Sequence, residues 1–419
     1  MDFDKHPCFS STARHTTGRI HLPVAAKCNV QCKFCNRKYD CPNESRPGVT
    51  STVLEPDQAL TYLDSVLKLV PNIAVIGIAG PGDPLANPDE TLKTMEMVHA
   101  KYPDKLLCLA TNGMNLLPYV ERLAKVNVSH VTITVNAVDP EIGAQIYQWF
   151  RFGPHTYRGV EGAHLLLTNQ LEAIKALKAH GITVKINTVV IPGINDHHVG
   201  QIAAVCKELG ADVQNCIPMM HVEGSLFEGR EPPDALMMVK VRGEAGQYMK
   251  QMTHCARCRA DAVGLIGQDN SAQIDTLLHA AAVPRPTTER PYIAVASMEG
   301  IFVNRHLGEA PALWVFDVRD GGVKLVGQRP TPEPGASDLR WHELADTFHD
   351  CFAALVSGCG SNPKKVLGEC GLKVIAAEGL IQDILAYIAR GEEIPKMLLH
   401  RAGSCNAGKG CGGQGMGCG

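Results

Sequence analysis

The chain has 419 residues, 45% hydrophobic and 20% charged, with 40 Lys+Arg against 43 Asp+Glu and a formal net charge of -3. That length predicts two or three domains with room for buried cores, and the composition excludes a mainly disordered or collagen-like chain. The near-neutral charge, with no long basic run to follow a phosphate backbone, argues against nucleic acid as a partner.

The opening, MDFDKHPC, carries acids where a signal peptide needs a basic start and an apolar stretch, and no run of eighteen apolar residues occurs anywhere. The expectation is a cytoplasmic protein with no membrane partner. Sixteen cysteines are too sparse for a small disulfide scaffold. In a large reduced protein they point to metal binding or redox chemistry, and so to oxygen sensitivity.

From residue 21 to about 250, short β-branched runs alternate with helical patterns. HLPVAA from His21, IAVIGIA from Ile73, LLCLAT from Leu106, HVTITVN from His130, ITVKINTVVI from Ile182 and VQNCIPM from Val213 read as six strands. QALTYLDSVLKLV, ETLKTMEMVHA, LEAIKALKAH and QIAAVCKELG carry apolar residues at three and four spacing and read as helices covering one face of a parallel sheet. Stacked βα units predict an α/β fold, a partial (β/α)6 TIM-like barrel, with ligands at the C-terminal ends of the strands. Residues 267–290 hold a short helical pattern and a proline-rich linker, after which a smaller α/β domain follows. The predicted divisions are 1–285, 286–400 and a flexible Cys/Gly-rich tail, 401–419.

The strongest motif is CNVQCKFC, with Cys28, Cys32 and Cys35 in C-x3-C-x2-C spacing after the first strand. Three thiolates on one loop can hold three irons of a [4Fe-4S] cluster and leave the fourth open, whereas structural zinc wants four protein ligands. This loop resembles that of the radical S-adenosylmethionine (SAM) enzymes, whose open iron chelates SAM. The resemblance implies that GIAGPGDPL, with Gly80, Gly82 and Asp83, meets the SAM amino group. It implies too that Asn112 of TNG and Asn136 reach ribose or carboxylate, and that VVIPGIND, with Ile191, covers the adenine.

His6 and Cys8 at the start, Cys41 after the cluster loop, Cys108 within LLCLATNG, and the Cys255–Cys258 pair of CARC make a narrower likeness over nearly the whole chain. Together they resemble the NifB family of nitrogenase cofactor biosynthesis. That resemblance implies two further [4Fe-4S] substrate clusters, fused around a SAM-derived carbide into an eight-iron precursor. Carried across, Cys8, Cys41 and Cys108 anchor one substrate cluster, and Cys255 and Cys258, with His6 as a further candidate, anchor the other. It implies as partners an external electron donor such as a ferredoxin or flavodoxin, a cluster donor, and cofactor carrier or scaffold proteins.

Arg37, Lys38, Arg257 and Arg259 are candidates to compensate anionic clusters, and Glu44 and Glu223 to handle protons. Cys206, Cys216, Cys351 and Cys370 read as core. Cys359 fits no assignment. The second domain resembles the NifX-like, RNase H-like accessory domains through VNRHLGEA, although Leu307 stands where an aromatic is usual; His306 is its candidate iron ligand. Cys405, Cys411 and Cys418 fit a metal-collecting tail or a plain chain end equally. Two rival functions stay open from sequence: a radical SAM peptide maturase with auxiliary electron-transfer clusters, and a cluster-storage protein without SAM chemistry.

Overall fold

The structure, a computed structural model, describes residues 6–9, 12–45, 48–49, 51–255, 258, 260–266, 271–333, 338–395 and 397–399. Arg257, Arg259 and the three tail cysteines lie outside the described residues. The chain divides into two compact units, Met1–Leu278 and His279–Gly419.

The strands of the first unit are β1 (Gly18–His21), β2 (Val30–Cys32), β3 (Ile73–Ile78), β4 (Leu106–Thr111), β5 (Val128–Thr134), β6 (Tyr147–Phe152), β7 (His155–Tyr157), β8 (Thr183–Val190), β9 (Val213–Pro218) and β10 (Val263–Gly264). Seven form one sheet in the order β10-β1-β3-β4-β5-β8-β9. Its successive pairs from β1 to β9 are parallel, and β10 closes the β1 edge antiparallel. The central strands β5 and β8 are buried along their whole length, as a sheet covered on both faces requires.

Helices α1 (Pro56–Leu69), α2 (Pro88–Lys101), α3 (Val120–Lys125), α4 (Pro140–Ile146), α5 (Gly159–Ala179), α6 (Val199–Glu208) and α7 (Ala235–Gly246) alternate with the strands. Proline stands at the first position of α1, α2 and α4, where its missing N–H costs nothing. Gln58 Oε1 accepts from the Glu55 N–H at 3.0 Å and helps to fix the start of α1.

Two local expectations are corrected. The first strand ends at His21 instead of starting there, because Pro23 has no N–H to donate; the following residues run on beside the loop after β3, with Leu22 N–H bonding Gly77 O and Ala25 N–H bonding Gly80 O. Helix α5 begins twelve residues before the predicted LEAIKALKAH segment at Leu171. Its glycine-containing front half weakens the helical signal, yet Gly162 is what lets that helix lie against the Phe150 ring, into which a Cβ would collide.

A separate small sheet, β2-β6-β7, was not foreseen; a three-residue strand inside a cysteine loop is too short to show alternation.

Helix α8 (Ser271–Ala282) carries the junction between the units. The second unit contains β11 (Tyr292–Val295), β12 (Phe302–Val303), β13 (Ala312–Asp317), β14 (Lys324–Pro330), β15 (Cys351–Val356), β16 (Lys373–Ala376) and β17 (Gly379–Leu380). Its five-stranded sheet runs β14-β13-β11-β15-β16, and β12 pairs with β17. Helices α9 (Leu339–Thr347) and α10 (Ser361–Glu369) share a core with Trp341, Phe348 and Leu367, while α11 (Ile381–Arg390) packs Ile381, Ile384, Leu385 and Ile388 into a second core. This unit therefore has buried cores of its own. Among the described residues no helix is long and apolar enough to cross a membrane.

Candidate functional site

Two cavities lie in the first unit. The smaller, of about 410 Å3, is lined by Cys28, Cys32, Cys35 and Cys41 together with Arg37, Gly82, Asp83 and Asn112. The larger, of about 740 Å3, is lined by His6, Cys8, Cys108, Cys255 and Cys258 together with Arg19, His21 and Lys185. Asn43, Glu44 and Ala110 line both, so the two spaces share a wall.

The cluster loop is held by its backbone. Cys35 N–H bonds Cys32 O, and Gln31 Nε2 donates to the carbonyls of Cys32 and Cys35 at 3.0 and 2.9 Å. Phe34 is buried in a cluster with Val30 and Phe150 and anchors the loop from behind. Those contacts leave the three thiols facing one space.

Burial pushes the Cys28 thiol up to about 12, with the Asp83 charge adding to it. Burial raises Cys32 as well, reinforced by Cys35, Cys41 and Cys28, and burial raises Cys35. A cavity that concentrates thiols in so unfavourable a setting for thiolates suits a cationic iron core, which takes the negative charge. Among the described residues no three His, Cys, Asp or Glu side chains converge on a single ion, whereas a cubane takes each thiolate at a separate corner.

The loop after β3 forms the opposite side. Asp83 is buried and accepts from Leu85 N–H at 2.9 Å, Asn112 N–H at 2.6 Å and Thr111 Oγ1 at 3.0 Å, which ties that loop to the end of β4. Burial raises the Asp83 carboxyl above its usual range, against these donors. Asn112 Nδ2 donates to Asn29 Oδ1 at 2.7 Å and lies 3.8 Å from Cys28 Sγ. At Gly82 a Cβ would collide with Lys27 O, so glycine lets this loop touch the approach to the cluster loop.

Not every expected SAM contact is in these cavities. Gly80, Asn136 and Ile191 line neither. Asn136 is buried with its Oδ1 on Val189 N–H at 2.8 Å, and Ile191 N–H donates to Asn195 Oδ1 at 2.7 Å, so both brace the end of β8.

Strand register builds the larger cavity. His21, Gly77, Cys108 and His130 stand side by side on β1, β3, β4 and β5, and Thr132 and Lys185 on β5 and β8. At Gly77 a Cβ would sit 2.6 Å from Cys108 Sγ and 3.1 Å from His21 Cδ2; only glycine leaves both side chains their places.

His6 Nδ1 accepts from Cys8 N–H at 3.1 Å, its ring lies 4.3 Å from that of His130, and its buried Nε2 has no hydrogen-bond partner. Burial, then the neighbouring His130, Lys185, His21 and Arg19, hold His6 well below the usual imidazole range. An orphaned neutral nitrogen among four cysteines fits a polynuclear iron substrate. Burial pushes Cys8 up to about 11 and raises Cys108 further.

The expected ligand trio is divided. Cys41 shares the smaller cavity with the cluster-loop thiols, and Asn43 Nδ2 donates to its Sγ at 3.3 Å; Cys8 and Cys108 face the larger cavity with Cys255, Cys258 and His6. The Arg37–Lys38 pair is split as well: Arg37 lines the smaller cavity, while Lys38 is exposed over the Tyr39 ring. Glu44 sits in the shared wall, and Asn187 Nδ2 donates to it at 2.6 Å; Glu223 is exposed, bonded by Tyr39 Oη at 2.9 Å.

Cys206, Cys216 and Cys351 are core residues, but Cys370 is half-buried with its Sγ 3.4 Å from His342 Nδ1. In the second unit, His306 Nδ1 accepts from Gly308 N–H at 3.2 Å.

Sequence reasoning missed Arg19, Asn43, His130 and Lys185. Arg19 Nη2 and Nε reach Cys258 Sγ at 2.8 and 3.3 Å, and Nη1 reaches Gly264 O at 2.6 Å. A signal for Lys185 existed: a lysine between Val184 and Ile186, inside a strand of a sheet packed by helices, is out of place.

The chain matches the Radical SAM superfamily over residues 22–206 and the family described as Dinitrogenase iron-molybdenum cofactor over residues 289–391. It is 49% identical to the FeMo cofactor biosynthesis protein NifB of Chlorobaculum tepidum, across 100% of this chain and 99% of that protein. It is 39% identical to the NifB proteins of Klebsiella pneumoniae, over 88% of this chain and 86% of that one, and of Azotobacter vinelandii, over 88% and 84%.

Proposed function

Because this chain belongs to the NifB family of FeMo cofactor biosynthesis proteins, and so is a radical SAM enzyme of cofactor-precursor synthesis, we propose a division of labour between its two cavities. The smaller binds the catalytic cluster and SAM, and the larger receives two [4Fe-4S] substrate clusters that leave as an eight-iron, carbide-centred precursor. The observation that carries this is the shared wall of Asn43, Glu44 and Ala110 between a four-thiol space and a second space with four thiols and a free imidazole nitrogen.

In this reading Cys28, Cys32 and Cys35 hold the catalytic cluster. Bound there, it supplies the electron that cleaves SAM to a 5'-deoxyadenosyl radical. Gly82, Asp83 and Asn112 border the SAM site, with Gly80, Asn136 and Ile191 shaping the backbone around it. Glu44, in the wall between both spaces, is the candidate to take protons from the methyl carbon as it becomes carbide; burial raises its carboxyl above the usual range, against the Lys185 charge and the Asn187 donor.

Cys8, Cys108, Cys255, Cys258 and His6 engage the substrate clusters, with Cys41 reaching them from across the wall. The first unit is read as a partial (β/α)6 barrel. The second is read as a NifX-like, RNase H-like domain that retains product through His306, and 401–419 as a tail. The proposed setting is a reducing cytoplasm, with a ferredoxin or flavodoxin as electron donor, and cluster donor and carrier proteins as partners.

The test uses SAM labelled in its methyl group with the fully loaded, reduced enzyme. The label should enter the extracted iron-sulfur product, with S-adenosylhomocysteine and deoxyadenosine both formed, and Cys28→Ala should abolish deoxyadenosine. An unlabelled product, or deoxyadenosine without S-adenosylhomocysteine, overturns carbide insertion in favour of a peptide maturase.

A further inference from the structure

We propose that Lys185 is the cationic anchor of the larger cavity, a positioning residue that holds the anionic iron-sulfur substrate through its thiolates and sulfides. The proposal rests on the reading of that cavity as the substrate-cluster site.

Lys185 is the third residue of β8, between the buried Val184 and Ile186, is 7% exposed, and lines the larger cavity. Among the described residues no hydrogen bond or close ion pair holds its ammonium, and the charges that bear on it are those of Cys8, Glu44, Cys255 and Cys258. A largely buried lysine whose ammonium makes no hydrogen bond is costly to a fold, and an apolar residue would suit this strand better. Its position makes sense if an anion arrives.

The neighbouring groups favour that reading. Cys8, Glu44, Cys255 and Cys258 surround the ammonium, and each adds negative charge beside it once it ionises. Glu44 already accepts from Asn187 Nδ2, and Arg19 already bonds Cys258 Sγ and Gly264 O. With Arg19 hydrogen-bonded to Cys258, Lys185 is the cation lining this cavity that has no hydrogen-bonded partner among the described residues. When cysteines in this space give up their protons to bind iron, the added negative charge faces the same cavity as an ammonium whose three N–H groups can also donate to sulfide.

Full-length wild type, Lys185→Met and Lys185→Arg are reconstituted anaerobically with iron and sulfide. Iron is counted, clusters are followed by electron paramagnetic resonance, and the thermal midpoint of each cluster-free protein is measured. Lys185→Met should fall from about twelve to about four irons per chain, keeping the catalytic cluster alone, and Lys185→Arg should recover much of the loss. The cluster-free Lys185→Met protein should melt no lower than wild type, since a buried charge that makes no hydrogen bond has been removed.

Full iron in Lys185→Met overturns the anchor. So does a loss of iron that comes with a lowered midpoint and no recovery in Lys185→Arg, which marks a structural lysine. A wild type that itself loads only about four irons overturns the substrate-cluster reading beneath the proposal.

Discussion

Burial makes cysteines of both cavities reluctant thiolates. Cys8 is pushed up to about 11 and Cys28 up to about 12, against an ordinary thiol value of 9.0, and burial raises Cys32, Cys35, Cys41 and Cys108 too. At neutral pH these thiols are protonated in the cluster-free protein, so under the proposed function each iron-thiolate bond would displace a proton. Loading should release protons, measurable with a pH dye in weak buffer, and should quicken between pH 7 and 9. Stability moves the other way. A folded-state value above the unfolded one contributes stability fully present below pH 9 and lost as pH rises through the raised values. The cluster-free protein should therefore show a thermal midpoint that falls between pH 8 and 11, and a flat profile there would contradict the burial of these thiols.

The two loops that meet at the smaller cavity leave the sheet from adjacent parallel strands, β1 and β3, and their contact depends on a missing side chain. Gly82 N–H bonds Ala25 O at 2.5 Å and Asp83 N–H bonds Lys27 O at 2.8 Å, an approach that a Cβ at position 82 would block. Gly82→Ala should cost about 1–3 kcal/mol, as overpacking does. It should also weaken SAM binding, read by equilibrium dialysis, while the larger cavity, built by other strands, still loads iron. Equal loss at both cavities would show that the loops and the sheet rearrange as one body. The glycine-rich pattern of this loop was visible in the sequence. Its partner, the backbone at Lys27, was not, because parallel neighbours some fifty residues apart are brought together only by the crossover helix between them.

Every thiol that lines the two cavities belongs to the unit Met1–Leu278, and the unit His279–Gly419 has its own sheet and its own buried cores. Truncation after about residue 285 should leave a folded protein whose iron content and deoxyadenosine yield stay within about twofold of the full chain. Product retention after gel filtration should fall, and His306→Ala in the full chain should reproduce part of that fall. A truncated protein that loads all its clusters and makes no precursor would assign the second unit to the chemistry.

The spacing of Cys28, Cys32 and Cys35, the order of the glycine and asparagine loops and the alternation of strands and helices were legible along the chain, because each is local: a loop carries its own thiols and a helix its own period. The small β2-β6-β7 sheet, the division of Cys41 from Cys8 and Cys108, and the bracing use of Asn136 came from the fold. So did the pairing of Arg19 with Cys258, 239 positions away, and the burial of Lys185. These depend on which strands lie side by side and in what register, and on which side chains are thereby shut away from water. Residue type could nominate candidate ligands; the geometry of a parallel sheet decides which cavity each of them lines.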